Sequence, residues 1–440
     1  MLKHLLAAAM VTMAPVSLDG PTLELVSKLP DTTIVSIADG DFVAASDDTG
    51  VLAPAAAGLQ DQLIVTTIRA GKATTRSLRV SNSVTATPEV LAVTPDGATA
   101  FVIERLAERT PGALRSADLQ PGKRLFAIDL RGSGALAITD TVEVGAFPEG
   151  LSISPDGTRV AVVSNTPQAA LLQFVDYRAG RFGGVTSVDL ATLGITGTAS
   201  TARGGVTATA VQWHRSGRFV AVNIDTQDRV AFFELTGTAQ RPVIRAFGEP
   251  VAVGRDPFVG RFTPDGRHYV VAEWGRDFSA TTLAGRIPAT ASTLSVIRFD
   301  AAGARHARIG GAVSDLSSEG IAMSRDGRLV ATINMRGTAL PLASGRLDRD
   351  ASVTLLTLDP STGALVKVAD YRFEGVLPEG GSFDSTGNHF YASVFQGHEG
   401  ASVRNGPGIE VFGIVKGAPP SLVALGRIPT PHGVHHIAIP

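Results

Sequence analysis

The sequence contains no cysteine, and charged and aromatic residues make up only 18% and 6% of it. Without a thiol, the chain cannot form disulfide bonds, thiolate metal sites or a cysteine nucleophile. The 39 Lys and Arg residues nearly balance the 41 Asp and Glu residues, and no long run of one sign occurs. Because nucleic-acid binders usually carry a basic stripe, we expect no nucleic-acid partner.

Long hydrophobic runs are also missing. No stretch approaches the roughly 18 apolar residues of a membrane-spanning helix, so we expect no membrane span. Residues 1–14 combine a short positive start with an apolar run, which is typical of a secretory signal peptide cleaved near Ala14. We predict a leader over residues 1–20 and a periplasmic or secreted protein. The alternative is a disordered leader on a cytoplasmic protein.

Glycine and proline are abundant, with 48 and 25 residues in 440. They recur in turns such as "SPDG" at residues 154–157, where Pro fixes φ at the second position and Gly supplies a positive φ. This turn joins two short β-rich runs, "GLSIS" and "TRVAVVS", as a hairpin. The composition and the short strands predict an all-β fold.

The hairpin recurs at nearly constant spacing. Seven turn glycines are separated by 57, 60, 60, 49, 61 and 60 residues: Gly40, Gly97, Gly157, Gly217, Gly266, Gly327 and Gly387. Each hairpin is followed by two more strand-like runs, such as residues 171–177 and 185–190. Seven units of four antiparallel strands predict a seven-bladed β-propeller over residues 21–440, rather than a pair of β-sandwiches.

Two strand-like segments remain at the ends of the chain. They are "TLELVSK" at residues 22–28 and "PHGVHHIAIP" at residues 431–440. We predict that one or both close the ring, with the first blade assembled from both termini. Closure would remove the free edge strands that promote aggregation.

The "PDG-x-x-x-[VY]-V" hairpins over residues 30–430 resemble those of the YVTN-type and lactonase-like seven-bladed propellers. That family includes proteins similar to sugar-lactone hydrolases and muconate-lactonising enzymes, and many members have no demonstrated chemistry. The resemblance implies a lactonase-like protein that hydrolyses a small lactone or ester at the mouth of the channel. The alternative is a non-catalytic exported propeller that binds a protein, glycan or small ligand. We expect a monomer in either case.

The direction of the strands places the long connections on one face, opposite the PDG turns. Four long segments project there: residues 105–123, 274–292, 335–351 and 395–407. Long loops on a rigid scaffold often carry binding residues. We therefore predict that a small-molecule or protein ligand binds at this long-loop face.

A glutamate stands eight residues before the turn glycine in four repeats, and His432 takes this place in the C-terminal copy. The four are Glu89, Glu149, Glu319 and Glu379. Carboxylates around one channel repel each other unless a cation, protons or arginines intervene. One interpretation is that all four bind a divalent cation such as Ca²⁺. The other, which we favour, is that each pairs with an Arg or a backbone N–H of the neighbouring blade.

If the protein is a hydrolase, the residues at the channel mouth are the candidates for acid–base catalysis. The predicted catalytic residues are Glu149, Glu379 and His432. Residues in the long loops that can hold an anionic group are candidates for substrate binding. They are Arg276, Arg336 and His398. The alternative for each of the latter is a solvated loop residue.

Overall fold

A computed structural model of the chain describes residues 18–196, 207–238 and 241–440. The described residues form seven antiparallel sheets, one for each blade of a propeller. The predicted seven-bladed β-propeller is therefore confirmed. All but the last three residues of the predicted leader lie outside the described residues.

The blades follow the chain in order, apart from one strand. Blade 1 contains β1 (Thr32–Ala38), β2 (Gln62–Arg69), β3 (Lys72–Arg79) and, as its innermost strand, β29 (Val434–Ala438). Blade 2 contains β4 (Leu91–Val93), β5 (Thr99–Ile103), β6 (Arg124–Asp129) and β7 (Ala137–Glu143). Blade 3 contains β8 (Pro148–Ile153), β9 (Arg159–Asn165), β10 (Ala170–Arg178) and β11 (Arg181–Asp189). Blade 4 contains β12 (Ala208–Trp213), β13 (Phe219–Ile224), β14 (Arg229–Thr238) and β15 (Arg241–Ala246), with β16 (Val251–Ala252) beside β14.

The last three blades are regular. Blade 5 contains β17 (Pro257–Phe262), β18 (His268–Glu273), β19 (Thr293–Arg298) and β20 (Ala307–Val313). Blade 6 contains β21 (Ser318–Met323), β22 (Leu329–Asn334), β23 (Asp350–Leu358) and β24 (Leu365–Glu374). Blade 7 contains β25 (Gly381–Phe383), β26 (His389–Val394), β27 (Gly408–Val415) and β28 (Ser421–Pro429). The helices are α1 (Gly20–Lys28), α2 (Ser46–Thr49) and α3 (Leu283–Arg286).

The hairpin turns of blades 2 to 7 share one conformation. Their six turn glycines have φ between 66° and 74°, a region that costs other residues energy. In the turn of blade 3, Asp156 Oδ1 accepts hydrogen bonds from Ser154 Oγ (2.6 Å) and Thr158 N (3.1 Å). The local sequence therefore determines this turn, which explains why the repeat is readable from sequence.

Closure of the ring confirms the predicted role of the C-terminus. Strand β29 pairs with β1, so blade 1 is built from both ends of the chain. This pairing corrects the counting of Gly40 among the turn glycines of inner hairpins, which took residues 34–46 as the first of these hairpins, because β1 is the second strand of its blade. Gly40 follows β1 and lies on the long-loop face rather than in a hairpin turn.

The N-terminal segment 22–28 is helical, which corrects its prediction as a strand. Asp19 caps α1 by accepting a hydrogen bond from Thr22 N (2.9 Å), and Pro21 lies in the first turn. The buried residues Leu25 and Val26 belong to the same apolar cluster as residues of blades 1 and 7. The helix therefore covers the seam where the ring closes.

The hydrophobic core lies between neighbouring blades. Phe101 of blade 2 meets Tyr177 of blade 3 edge to face, with ring centroids 4.7 Å apart. Phe174 of blade 3 meets Trp213 of blade 4 in the same way at 5.4 Å. Because each sheet is covered on both faces, its inner strands contain few polar residues. The few polar residues that face the channel are therefore candidates for a functional site.

Candidate functional site

Residues 39–61 connect β1 to β2, and we call them the crossing segment. On the long-loop face this segment contacts the loops of other blades. Ala44 N donates a hydrogen bond to Oε1 of Gln396 (2.9 Å), a residue that follows the second strand of blade 7. Asp48 Oδ1 accepts from Leu283 N in the long loop of blade 5 (2.7 Å). Phe42 is buried within one apolar cluster that includes residues from several long loops. The long-loop face, where we predicted ligand binding, is thus covered by packed loops.

Glu149, predicted to be catalytic, is held by a neighbouring blade. Its Oε2 accepts from Arg105 Nε (2.6 Å), and Arg105 follows β5 in blade 2. Both side chains are largely buried. Burial raises the pKa of Glu149, while the charge and the hydrogen bond of Arg105 lower it. This contact is the one that the scaffold interpretation expects.

Glu379 faces a different histidine from the one predicted. Its Oε2 lies 3.7 Å from Nδ1 of His435, and the side chains of both residues are almost fully buried. Within the described part of the chain, neither atom has a hydrogen-bond partner. Because Nε2 of His435 bonds to Asn82 Oδ1 (2.8 Å), Nδ1 carries the lone pair. Burial raises the pKa of Glu379 well above its usual range, and the charge of the neighbouring Glu319 raises it further.

The other predicted residues have local partners. His432 Nε2 bonds to the carbonyl of Phe42 in the crossing segment (2.7 Å). Arg336 is paired with Asp315 and with Asp348. The half-buried His398 bonds through Nε2 to the carbonyl of Arg349 (3.0 Å). The structure therefore does not bring His432, Arg336 and His398 together around one ligand position.

Among the predicted substrate-binding residues, Arg276 interacts with both acidic and aromatic side chains. It forms two hydrogen bonds to Asp256, at 2.8 Å and 2.9 Å, and its guanidinium lies 4.0 Å from the centroid of Trp274. Its charge lowers the pKa values of Glu149 and Glu319 against the opposing effect of their burial. Arg276 therefore compensates several buried carboxyl groups at the loop-face end of the channel.

Across the described ranges, no group of three or more His, Asp or Glu side chains is arranged to hold a metal ion. The four glutamates considered as ligands of a divalent cation have separate environments. Glu149 pairs with Arg105, Glu379 lies beside His435, and Glu89 pairs with Arg261. Glu319 is buried, and its pKa is raised well above its usual range by burial and by Asp47.

The half-buried Asp47 allows the packing of the crossing segment to be tested. Burial raises its pKa to about 6, although Arg286 and Arg276 lower it. Because the unfolded value is about 4, the folded state binds this proton more tightly. Its stabilising contribution is present near pH 4 and is lost as the pH rises through 6. We expect Asp47→Asn to gain about 1–2 kcal/mol in unfolding free energy over wild type between about pH 4 and pH 8, after allowance for solvent screening.

Urea unfolding of both proteins across this pH range would measure the difference. The matched control is Asp359→Asn, since hydrogen bonds from Ser361 lower the pKa of Asp359 to about 2. Asp359 contributes stability above about pH 4 that is lost as the pH falls, so its variant should lose stability relative to wild type as the pH rises from 2. Equal pH dependence of Asp47→Asn and wild type would contradict the raised pKa of Asp47.

A cavity of about 530 Å³ occupies the channel on the side of the PDG turns. Its rim includes the exposed turn residues Pro155, Pro264 and Arg325. At its inner end Glu89 accepts a hydrogen bond from Gln212 Nε2 (3.0 Å) and pairs with Arg261. Burial raises the pKa of Glu89, whereas Arg261 and the Gln212 hydrogen bond lower it. Residues from three blades thus meet at the carboxylate of Glu89.

His436 completes this group, which we name the channel site: Glu89, Gln212, Arg261 and His436. Leu91 N donates to Nδ1 of His436 (3.2 Å), so the ring proton of the neutral imidazole is on Nε2. Burial and the charge of Arg261 keep the pKa of His436 well below its usual range, which favours that neutral form. The ring lines the cavity, where the Nε2–H is available as a donor.

One residue from each blade lines the cavity in the same register. In blades 2 to 7 it stands five residues before the turn glycine. The set is Ala92, Ser152, Gln212, Arg261, Ala322 and Ser382, with Ile437 in blade 1. Sequence reasoning missed Gln212 and Arg261 because it followed the recurring glutamate, although an alignment on the turn glycines would have found them.

A second cavity, of about 360 Å³, lies between α1 and blades 6 and 7. Most of the charged groups that line it are already paired. Arg427 donates to Glu410 (2.8 Å) and to the carbonyl of Gly406 (2.7 Å), and Arg404 donates to Asp19 (3.3 Å). These contacts stabilise blade 7 and its packing against α1, and they do not resemble a reaction site.

No protein-family model matches the sequence, and no curated protein matches it significantly. Among the described residues, no helix is long and apolar enough to cross a membrane.

Solved structures with the same architecture include a periplasmic gluconolactonase from Pseudomonas aeruginosa, at 17% identity and a TM-score of 0.61, covering 92% of this chain and 99% of that one. A candidate 6-phosphogluconolactonase from Bacteroides uniformis has 14% identity and a TM-score of 0.63, with 93% and 99% covered. Another, from Bacteroides fragilis, has 15% identity and a TM-score of 0.60, with 93% and 98% covered. At these identities the likeness establishes the seven-bladed fold and not the activity.

Proposed function

We propose that the protein hydrolyses a small lactone or ester at the channel site, with Glu89 as the general base. The observation that carries this proposal is the meeting of a buried carboxylate, a guanidinium and an imidazole N–H at the inner end of a cavity. The cavity has the volume of a typical small-molecule site. The gluconolactonase and the candidate 6-phosphogluconolactonases with the same fold lend further support.

The reaction begins with a water molecule beside Glu89. The carboxylate accepts a proton from this water, whose oxygen attacks the carbonyl carbon. Arg261 and the Nε2–H of His436 donate to the carbonyl oxygen as negative charge develops on it. When the intermediate collapses, the bond to the ring oxygen breaks and Glu89 returns the proton to that oxygen. The product is the open hydroxy acid.

The environment of Glu89 suits a general base. Burial raises its pKa from the usual range, which makes it a stronger proton acceptor. Arg261 and Gln212 oppose that rise, because both donate to the carboxylate and so favour its ionised form. His436 is neutral and can only donate through Nε2, so its role is to polarise the carbonyl and not to accept a proton.

The substitution Glu89→Gln tests this assignment. We expect kcat for a hydrolysed lactone to fall by about 10²- to 10⁴-fold, because the amide cannot accept the proton from water. Release of acid from a panel of γ- and δ-lactones and aryl esters, followed by pH-stat titration, provides the measurement. Thermal unfolding of the variant shows whether the loss of activity comes from loss of folding.

Glu149→Gln separates the channel site from the loop-face mouth predicted from sequence. Glu149 occupies the same place one repeat later, and it also pairs with an arginine. Loss of hydrolysis in Glu149→Gln, together with an active Glu89→Gln, would move the reaction to the loop face. A wild-type protein that binds lactones without opening them would favour the non-catalytic alternative. No hydrolysis across the whole panel would refute the enzyme.

We also propose that the protein is periplasmic or secreted. The pattern of residues 1–14 supports this location, because a positive start and an apolar run precede a small-residue cleavage site. The gluconolactonase of the same fold from Pseudomonas aeruginosa is itself described as periplasmic.

A further inference from the structure

The charges of the channel site cancel. Glu89 and Arg261 form an ion pair, Gln212 is neutral, and His436 is a neutral donor. Among the described residues that line the cavity, the remaining charge belongs to Arg325, which is exposed at the rim. A charge in that position is screened by solvent and salt. The inner part of the cavity therefore has no unpaired cation to offer a substrate anion.

The wall around this pair is small and partly polar. Ser152 Oγ accepts a hydrogen bond from Trp213 N (3.3 Å), which leaves its O–H free to donate. Ser382 Oγ donates to the carbonyl of Phe383 (3.1 Å), which leaves its lone pairs free to accept. The cavity thus presents one hydroxyl donor and one hydroxyl acceptor on different blades.

We infer that the channel site selects an uncharged lactone or ester that carries hydroxyl groups, and that it discriminates against phosphorylated substrates. The inference rests on the proposed hydrolysis at the same site. Hydroxyls of such a substrate replace their water contacts with Ser152 and Ser382, whereas an apolar substituent leaves the O–H of Ser152 and the lone pairs of Ser382 without a partner. A phosphate group carries about two negative charges and is bound in proteins by arginines, lysines or several backbone N–H groups. The inner cavity provides no such set.

Three substrates of one ring size separate the possibilities. They are a hydroxylated δ-lactone, the same lactone phosphorylated on its terminal hydroxyl, and unsubstituted δ-valerolactone. We expect kcat/KM for the hydroxylated lactone to exceed that for each of the others by about tenfold or more. Preference for the phosphorylated lactone, or equal rates with all three, would overturn the inference and leave the hydrolase intact. No turnover of any of them or of simple esters would refute the hydrolase itself.

Two kinds of variant assign the preference to this wall. Ser152→Ala and Ser382→Ala should each reduce the preference for the hydroxylated over the unsubstituted lactone by about three- to tenfold, mainly through KM. Ala322→Arg adds a guanidinium one blade from Arg261 and should raise the relative kcat/KM for the phosphorylated lactone by about tenfold. If that variant does not fold, Ala92→Arg makes the same test from blade 2.

Arg325→Gln addresses the rim. We expect it to leave the order of the three substrates unchanged, because the selection is made in the inner cavity. Wild-type turnover that favours the phosphorylated lactone and loses this preference in Arg325→Gln would show that the rim binds the phosphate. That result would contradict the inference.

Discussion

Removal of residues 434–440 should prevent the protein from folding. Strand β29 is the innermost strand of blade 1, and Val434 and Ile437 are almost fully buried. Burial of each aliphatic side chain contributes about 1.5–3 kcal/mol. Each ladder hydrogen bond lost from β1 removes about 0.5–1.5 kcal/mol more. The sum is comparable to the whole stability of a typical protein, about 5–15 kcal/mol, and the ring would also be left open.

The matched control is a chain that ends at Ala438. It loses only the last two residues, which follow β29, and should fold and melt close to wild type. Soluble yield, the far-ultraviolet circular dichroism spectrum and the melting temperature would compare the two truncations. A chain lacking residues 434–440 that melts cooperatively at the wild-type temperature would contradict the closure by β29.

The propeller could be predicted because its turns are determined locally. The Pro-Asp-Gly sequence needs no distant partner to form its turn, so the period of the turn glycines counts the blades. Errors arose where local sequence is ambiguous. Residues 34–46 look like an inner hairpin, yet only the pairing of β29 with β1 decides that β1 is a second strand. Residues 22–28 alternate like a strand, but the Asp19 cap and packing on the seam make them helical.

The candidate site could be predicted only in part. Glu89 stands out because a glutamate recurs before the turn glycine. Its partners Gln212 and Arg261 lie 123 and 172 residues away in the chain, and only the ring brings them to the same carboxylate. The packing of the loops on the long-loop face could not be predicted either, because contacts between loops of different blades leave no periodic signal in the sequence. Similar glutamates consequently have different environments in different blades.

Arg276→Leu should destabilise the protein by about 3–5 kcal/mol, the second large effect we expect. The guanidinium makes two hydrogen bonds to Asp256, whose side chain is almost fully buried. Without it, Asp256 would remain as a buried charge close to Asp225 and Glu319, whose pKa values burial already raises well above their usual range. The stacking of Arg276 over Trp274 would be lost as well.

A double substitution identifies the cause of this loss. In Arg276→Leu/Asp256→Asn the buried charge is removed together with its partner, so the double variant should be more stable than Arg276→Leu alone. Arg276→Lys keeps the charge but cannot form the two-pronged contact, and it should fall between wild type and Arg276→Leu. Urea unfolding of wild type, Arg276→Leu, Asp256→Asn and the double variant measures the coupling free energy between the two side chains. If the loss in Arg276→Leu stayed below about 0.5 kcal/mol, or if Asp256→Asn gave no rescue, Arg276 would not be the group that makes the buried carboxylates tolerable.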